Sequence, residues 1–158
     1  MLSSMVDVRG KTCVDFELTI HFNERMAAVS MLRSVREGDT LLFDRGYYSQ
    51  HLLRSVHGAQ AYGVWRLKRN AFRGTRSFFN SWKTESTCLI SGVKARLLKY
   101  FIGGKTYVCL TNNPTLSRRD VKTLYALRWK VEDSFKRLKS SLKLEKAHAR
   151  TPLCISRK

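Results

Sequence analysis

Acidic residues are scarce in this chain: 12 Asp and Glu stand against 30 Lys and Arg in 158 residues, a net charge of +18. Zinc-type spacing is missing. Cys13, Cys88, Cys109 and Cys154 include no Cys-x2-Cys pair, and His21, His51, His57 and His148 lie equally far from a metal pattern. The cysteines therefore read as small buried or half-buried side chains in a reducing cytoplasm, not as a structural zinc site. No apolar run approaches the roughly 20 residues of a spanning helix. No secretory signal with an apolar centre and a small-residue cleavage site is found. A cytoplasmic location is expected, with no membrane as partner. Internal repeats, low-complexity tracts and linkers are absent as well.

What the chain has is 43% hydrophobic and 11% aromatic residues, the composition of one globular domain with a modest core. A field as positive as this attracts polyanions through counterion release, which makes nucleic acid the leading partner. The cationic residues are interleaved with strand-like and helical segments instead of gathering in a tail, which disfavours an anionic membrane surface.

Residues 5–8 and 12–20 are β-rich runs separated by Arg9-Gly10-Lys11 and read as a hairpin. Asn23 can cap a helix with Glu24 in its first turn, with Gly38 as its end. Residues 41–43 form a short continuous apolar run, as in a buried strand, and residues 49–56 suggest another helix. Residues 62–111 change to short strands, at 62–67, 87–90, 94–102 and 105–110, punctuated by Gly74, Gly92, Gly103 and Gly104. Ser117-Arg118-Arg119-Asp120 is a helix start in which Asp stands where a capping box prefers Glu or Gln. A long helix to about residue 144 follows, and Thr151-Pro152 looks like the cap and first position of one more.

Within the long helix, Tyr125, Arg128, Glu132 and Lys139 are spaced Tyr-x2-Arg-x3-Glu-x6-Lys. At about 100° per residue they fall within an arc of roughly 60°. Leu124, Leu127, Val131, Phe135, Leu138 and Leu142 occupy the neighbouring arc. A helix docked by that stripe would carry a tyrosine, two cations and one carboxylate along its rim, a layout suited to a metal and phosphates. A solvated basic face is the bland alternative. Upstream, the apolar run 40–43 ends in Asp44-Arg45-Gly46-Tyr47. An Asp at the carboxyl end of a buried strand is well placed as a ligand, and Gly46 beside it would let the backbone turn sharply.

These two motifs, in this order, resemble the signature of DDE transposases of the insertion-sequence-four family, and the resemblance covers nearly the whole chain. It implies an α/β fold like ribonuclease H, a mixed sheet flanked by helices with a β-rich insertion. On that pattern residues 1–61 are core strands and helices, 62–111 the insertion, and 112–158 the signature helix and the start of a last one. It also implies Mg²⁺, with Mn²⁺ as substitute, held by Asp44 and Glu132 as catalytic metal ligands. Tyr125, Arg128 and Lys139 would bind DNA phosphates, and Trp82 in the insertion could stack on an unpaired base. The implied activity is DNA strand cleavage and transfer in transposition, the partners transposon ends and target DNA, and the assembly a homodimer on DNA.

Each residue keeps a plainer alternative: Tyr125 as a packing tyrosine, Lys139 as a solvated lysine, Trp82 as the core of a small β unit. Arg45 is open between a DNA contact and an ion pair. The chain also departs from the family pattern. A DDE site needs three acids, and the strand carrying the first lies upstream of the hairpin with which this sequence begins, so a catalytic-core fragment, incomplete at the N-terminus and cut short at the C-terminus, is expected. Asp7 and Asp15 are the only acids in the hairpin that could substitute. The expected outcome is a fragment inactive alone. The alternatives are a non-catalytic nucleic-acid-binding remnant or co-opted module, and an RNA-binding basic protein of ribosomal type.

Overall fold

The computed structural model describes residues 2–18, 23–141 and 153–156. β1 (Leu2–Asp7) and β2 (Cys13–Leu18) form the expected antiparallel hairpin. Its turn is closed by the Lys11 N–H on the Asp7 carbonyl at 2.8 Å and by the Arg9 N–H on Asp7 Oδ1 at 2.9 Å. α1 (Glu24–Ser30) starts as read, with Asn23 Oδ1 accepting from the Met26 N–H at 3.3 Å. It tightens into a 3₁₀ turn, Met31–Ser34, and Val35 is already extended, so the helix stops short of Gly38. β3 (Thr40–Phe43) is the buried apolar run. α2 (Gln50–Gly58) is capped by the Ser49 hydroxyl on the Leu52 N–H at 3.1 Å, and it leads to β4 (Tyr62–Arg66), which pairs parallel to β3.

A short helix, α3 (Thr75–Asn80), opens on Gly74 at φ +93° and was not legible in the glycine-punctuated stretch. β5 (Glu85–Ile90), β6 (Val93–Ile102) and β7 (Lys105–Thr111) follow as an antiparallel meander. β7 pairs antiparallel to β4, so residues 62–111 extend the same sheet that holds β3. α4 (Arg118–Ser141) begins on a reciprocal capping box: the Ser117 hydroxyl accepts from the Asp120 N–H at 3.2 Å, and Asp120 Oδ2 accepts from the Ser117 N–H at 3.0 Å. Those bonds hold the Asp120 carboxyl below its usual range.

The helix expected to start at Thr151-Pro152 is not what the described part of this segment forms. Residues 151–152 lie outside the described residues, and Leu153–Ser156 is a strand, β8. It enters the middle of an eight-stranded mixed sheet ordered β2-β1-β8-β3-β4-β7-β6-β5, parallel to β1 and antiparallel to β3. Its pairings to Leu41, Leu42 and Thr40 are long-range, and no local preference announces them.

Side-chain alternation along the strands gives the sheet two apolar faces. Leu41, Phe43, Trp65, Val108 and Leu110 face a cluster containing Ala28, Leu52, Leu53, Val56 and Phe78 from α1, α2 and α3. Leu42, Val64, Leu98, Cys109 and Cys154 face Val121, Leu124 and Tyr125 of α4. The chain is thus a mixed α/β sheet with helices on both faces, consistent with a ribonuclease H-like core. Among the described residues no helix is long and apolar enough to cross a membrane.

The strand that delivers the site is set by one tight contact. Trp65 is fully buried and stacks on Phe43, its register partner, at 4.9 Å between ring centroids and 3° between planes. The ring lies over Gly63, where a Cβ would meet Trp65 Cη2 at 2.0 Å. Gly63→Ala is therefore expected to lower stability by about 1–3 kcal/mol through overpacking, read as a fall in the denaturant midpoint; an unchanged midpoint would contradict the stacked geometry. Ile155→Pro removes a backbone donor from a strand flanked on both sides and should cost about 1–3 kcal/mol. An unaltered melting curve would put β8 outside the sheet.

Candidate active site and cationic cleft

Asp44 follows the last residue of β3, and the chain turns there, with the Tyr47 N–H donating to the Asp44 carbonyl at 3.1 Å. The turn is tied to α1 by Arg25 Nε on the Gly46 carbonyl at 3.0 Å, and Tyr47 packs into the core beside Phe43. Gly46 is not needed for its conformational freedom. Its φ is not in the positive range, and a Cβ would meet only Glu24 Oε2, at 3.7 Å.

α4 lies across this strand end. Tyr125 is wholly buried, and its hydroxyl donates to the backbone carbonyls of Phe43 at 2.8 Å and Val64 at 3.0 Å. Burial raises its pKa well above the ordinary tyrosine value, so it stays protonated and a donor. This differs from the expectation of a phosphate contact: the one hydroxyl proton is committed to the sheet, and the ring is shut away from solvent. A helical wheel gives a side chain's angle about the axis but not its depth. Here Tyr125 and Arg128, expected at the rim, are pressed inward, because the helix seats on the open carboxyl ends of β3 and β4.

Arg128, one turn on, is 2% exposed, with Nη2 3.7 Å from Asp44 Oδ1. Arg66, the last residue of β4, brings its Nη2 to 3.0 Å from the same oxygen. Both guanidinium groups approach as charges, yet Oδ1 is buried and accepts no hydrogen bond of good direction. A carboxylate oxygen held this way keeps its lone pairs unused, which is the donor a hard divalent cation takes. Glu132 and Lys139 lie on α4, but their side chains fall outside the described residues.

Beside Asp44 opens a cleft of about 570 Å³ lined by Arg45, Arg66, Lys68, Arg69 and Lys105, with Phe79 and Tyr107 among its walls and no acid. Arg66 lies over the Tyr107 ring at 5.9 Å and Arg69 over Phe79 at 5.7 Å. Arg45 is exposed and, among the described residues, makes no ion pair, which favours the contact reading over the pairing one. The cleft residues beyond Arg45 were missed in the sequence. The available signal is topological: strands joined by a short helix pair in parallel and end side by side, so residues just past β4 lie next to those just past β3.

Trp82 is not the core of a β unit but fully exposed. It follows Ser81, whose carbonyl accepts from buried Lys99 Nζ at 2.6 Å; the same ammonium bonds the Phe79 carbonyl at 3.2 Å. Desolvation lowers the Lys99 pKa. Trp65 belongs to the core and Trp129 packs its edge against Tyr107.

The candidate substitutes for a further acid are engaged locally. Asp7 closes the hairpin turn. Asp15 bonds Arg33 at 2.9 Å and the Ser34 hydroxyl at 2.7 Å. Burial works to raise the Asp15 pKa, but the bonds from Ser34 and Arg33 prevail and hold it below the usual carboxylate value. Among the described residues no three His, Cys, Asp or Glu come together as a metal site.

A half-buried carboxylate at a strand end with one oxygen enclosed, two guanidinium groups near that oxygen and an acid-free cleft beside it are suited to handling phosphates. The chain matches the family described as Transposase DDE domain over residues 1–155, and it belongs to that family. Neither the curated proteins nor the solved structures contain a match to it. Membership implies a transposase catalytic role, DNA as partner and, as in DDE transposases generally, use of a divalent metal.

Tyr125→Phe separates the two roles of the tyrosine. Losing the shared donor should cost about 1–2 kcal/mol of stability while the salt dependence of DNA binding stays unchanged; a slope lowered by about one phosphate contact would restore the phosphate role.

Proposed function

We propose that this chain is the catalytic domain of a DDE transposase of the insertion-sequence-four type, acting on DNA ends. The observation that carries the reading is the buried Asp44 Oδ1, lacking a directed hydrogen bond, beside a cleft lined by five cations. Asp44 and Glu132 would hold Mg²⁺, or Mn²⁺ in its place. Bound there, the metal would relieve charge on the phosphate and activate the attacking oxygen. Arg128 orients Asp44 from within the protein, and Tyr125 fixes the helix that carries Arg128. Lys139 binds phosphate, and Trp82, at the surface of the 62–111 insertion, stacks on an unpaired base. The duplex runs along the cleft, and pairing of transposon ends with target brings two copies together on DNA. Such a protein works in the cytoplasm, on DNA.

A DDE site takes three acids, and Asp7 and Asp15 are both engaged locally. The 158-residue chain alone is therefore expected to bind DNA without completing strand cleavage. A non-catalytic DNA-binding module is the second reading. It is favoured by the two arginines on Asp44, which neutralise the carboxylate without any metal ion.

Two measurements test this. Lys68→Ala, Lys105→Ala and Lys139→Ala should each weaken DNA binding across sequences and reduce the salt slope by about one phosphate contact; unchanged slopes would move the duplex elsewhere. The purified chain with Mg²⁺ or Mn²⁺ should leave DNA strands intact. Metal-dependent cleavage that disappears in Glu132→Gln would refute the inactivity of the chain alone and exclude the second reading.

A further inference from the structure

Arg66 is the cleft residue with two possible anionic partners. Its Nη2 lies 3.0 Å from Asp44 Oδ1, it lines the cleft, and its Nε is buried without a hydrogen bond. The guanidinium rests over the face of Tyr107, itself a wall of the cleft. A guanidinium offers five N–H donors in a planar fork, and here it spends one nitrogen on an off-axis contact to a carboxylate. A phosphodiester in the cleft would offer two oxygens in the geometry that fork matches. Arg69, by contrast, is tied by Nη2 to Asn80 Oδ1 at 2.9 Å. Among the described residues, Arg66 is the only cation of the cleft paired with an acid.

We propose that Arg66 couples DNA binding to metal binding: it pairs with Asp44 while the cleft is empty and transfers to a DNA phosphate when the cleft is filled, opening Asp44 to a divalent cation. The inference rests on the proposed reading of Asp44 as a metal ligand. Its physical basis is competition: the Arg66 guanidinium, 3.0 Å from Oδ1, repels a divalent cation on that oxygen, whereas buried Arg128, at 3.7 Å, stays in both states and contributes equally to each. Relief of that competition is a coupling free energy, so metal must tighten DNA binding by the same factor by which DNA tightens metal binding. The device makes the reactive state depend on substrate and keeps a lone Asp44 neutralised in the free protein.

The test is the affinity for Mn²⁺, followed by the electron paramagnetic resonance of the free ion, with and without a saturating short DNA duplex and corrected for Mn²⁺ on the duplex alone. The wild-type chain should bind Mn²⁺ about tenfold more tightly with DNA. Arg66→Gln should bind it equally well in both states, at the affinity of the DNA-loaded wild type. Lys105→Gln removes the same charge from the same cleft but leaves the Arg66 pair in place, so it should keep the DNA-induced tightening. Equal wild-type affinities in the two states would overturn the coupling and leave the proposed function standing. So would tightening that persists in Arg66→Gln, since the negative field of the DNA alone would then explain it. Mn²⁺ binding insensitive to Asp44→Asn in every state would overturn the proposed function itself, and the coupling with it.

Discussion

The Tyr125 hydroxyl on the Phe43 and Val64 carbonyls is the interaction on which the site depends. Strands β3 and β4 run parallel and end together, leaving carbonyl oxygens at their carboxyl ends that would be costly to bury unpaired. One phenol satisfies both and, in doing so, fixes where α4 crosses the sheet. What α4 brings to Asp44 follows from that crossing. Arg128 arrives beside the carboxylate because it is one turn beyond Tyr125, and its guanidinium stacks over the same ring at 5.7 Å. The capping box at Ser117 and Asp120 sets the start of the helix. Arg96 anchors the preceding loop, with Nη1 on the carbonyls of Asn113, Pro114 and Leu116.

The charge distribution gives this geometry its purpose. In a chain with 30 cations and 12 acids, Asp44 is a carboxylate beside an array of positive charges. Two arginines on one buried oxygen leave it neutralised but poorly hydrogen-bonded, an arrangement that stabilises less than a bidentate pair and yields more readily to a stronger cation. Of the two, Arg66 also lines the cleft proposed to take DNA phosphates, whereas Arg128 is buried. On the proposed reading Arg66 thus serves both the cleft and the restraint of the carboxylate, and Trp82, next to the Ser81 carbonyl that buried Lys99 binds, is fully exposed.

Local chemistry made much of the fold legible. Asn23 and the pair Ser117 and Asp120 each cap the helix expected of them, and the helix read at 49–56 forms with Ser49 as its cap, because a side chain reaching its own backbone is decided within a few residues. Leu41, Leu42 and Phe43 read as a buried strand and are one. What escaped was set at long range. β8 is a strand because β1 and β3 present open edges to it, whereas Thr151-Pro152 locally suggests a helix. Spacing put Tyr125 and Arg128 on one helix arc and the family resemblance assigned them to one site with Asp44, but only the packed sheet decides that the tyrosine faces inward. Arg66 stands far from Asp44 in the chain and becomes its neighbour only through the parallel pairing of β3 with β4.

The central claim is that Asp44, framed by Arg66 and Arg128, is the carboxylate of a metal-dependent site on DNA. A structure of the chain with a DNA duplex and Mn²⁺ tests it most directly. The account predicts an anomalous Mn²⁺ peak at Asp44, with backbone phosphates in the cleft against Lys68 and Lys105. A duplex bound on the opposite face of the sheet, or Mn²⁺ absent from Asp44 while DNA fills the cleft, would contradict it.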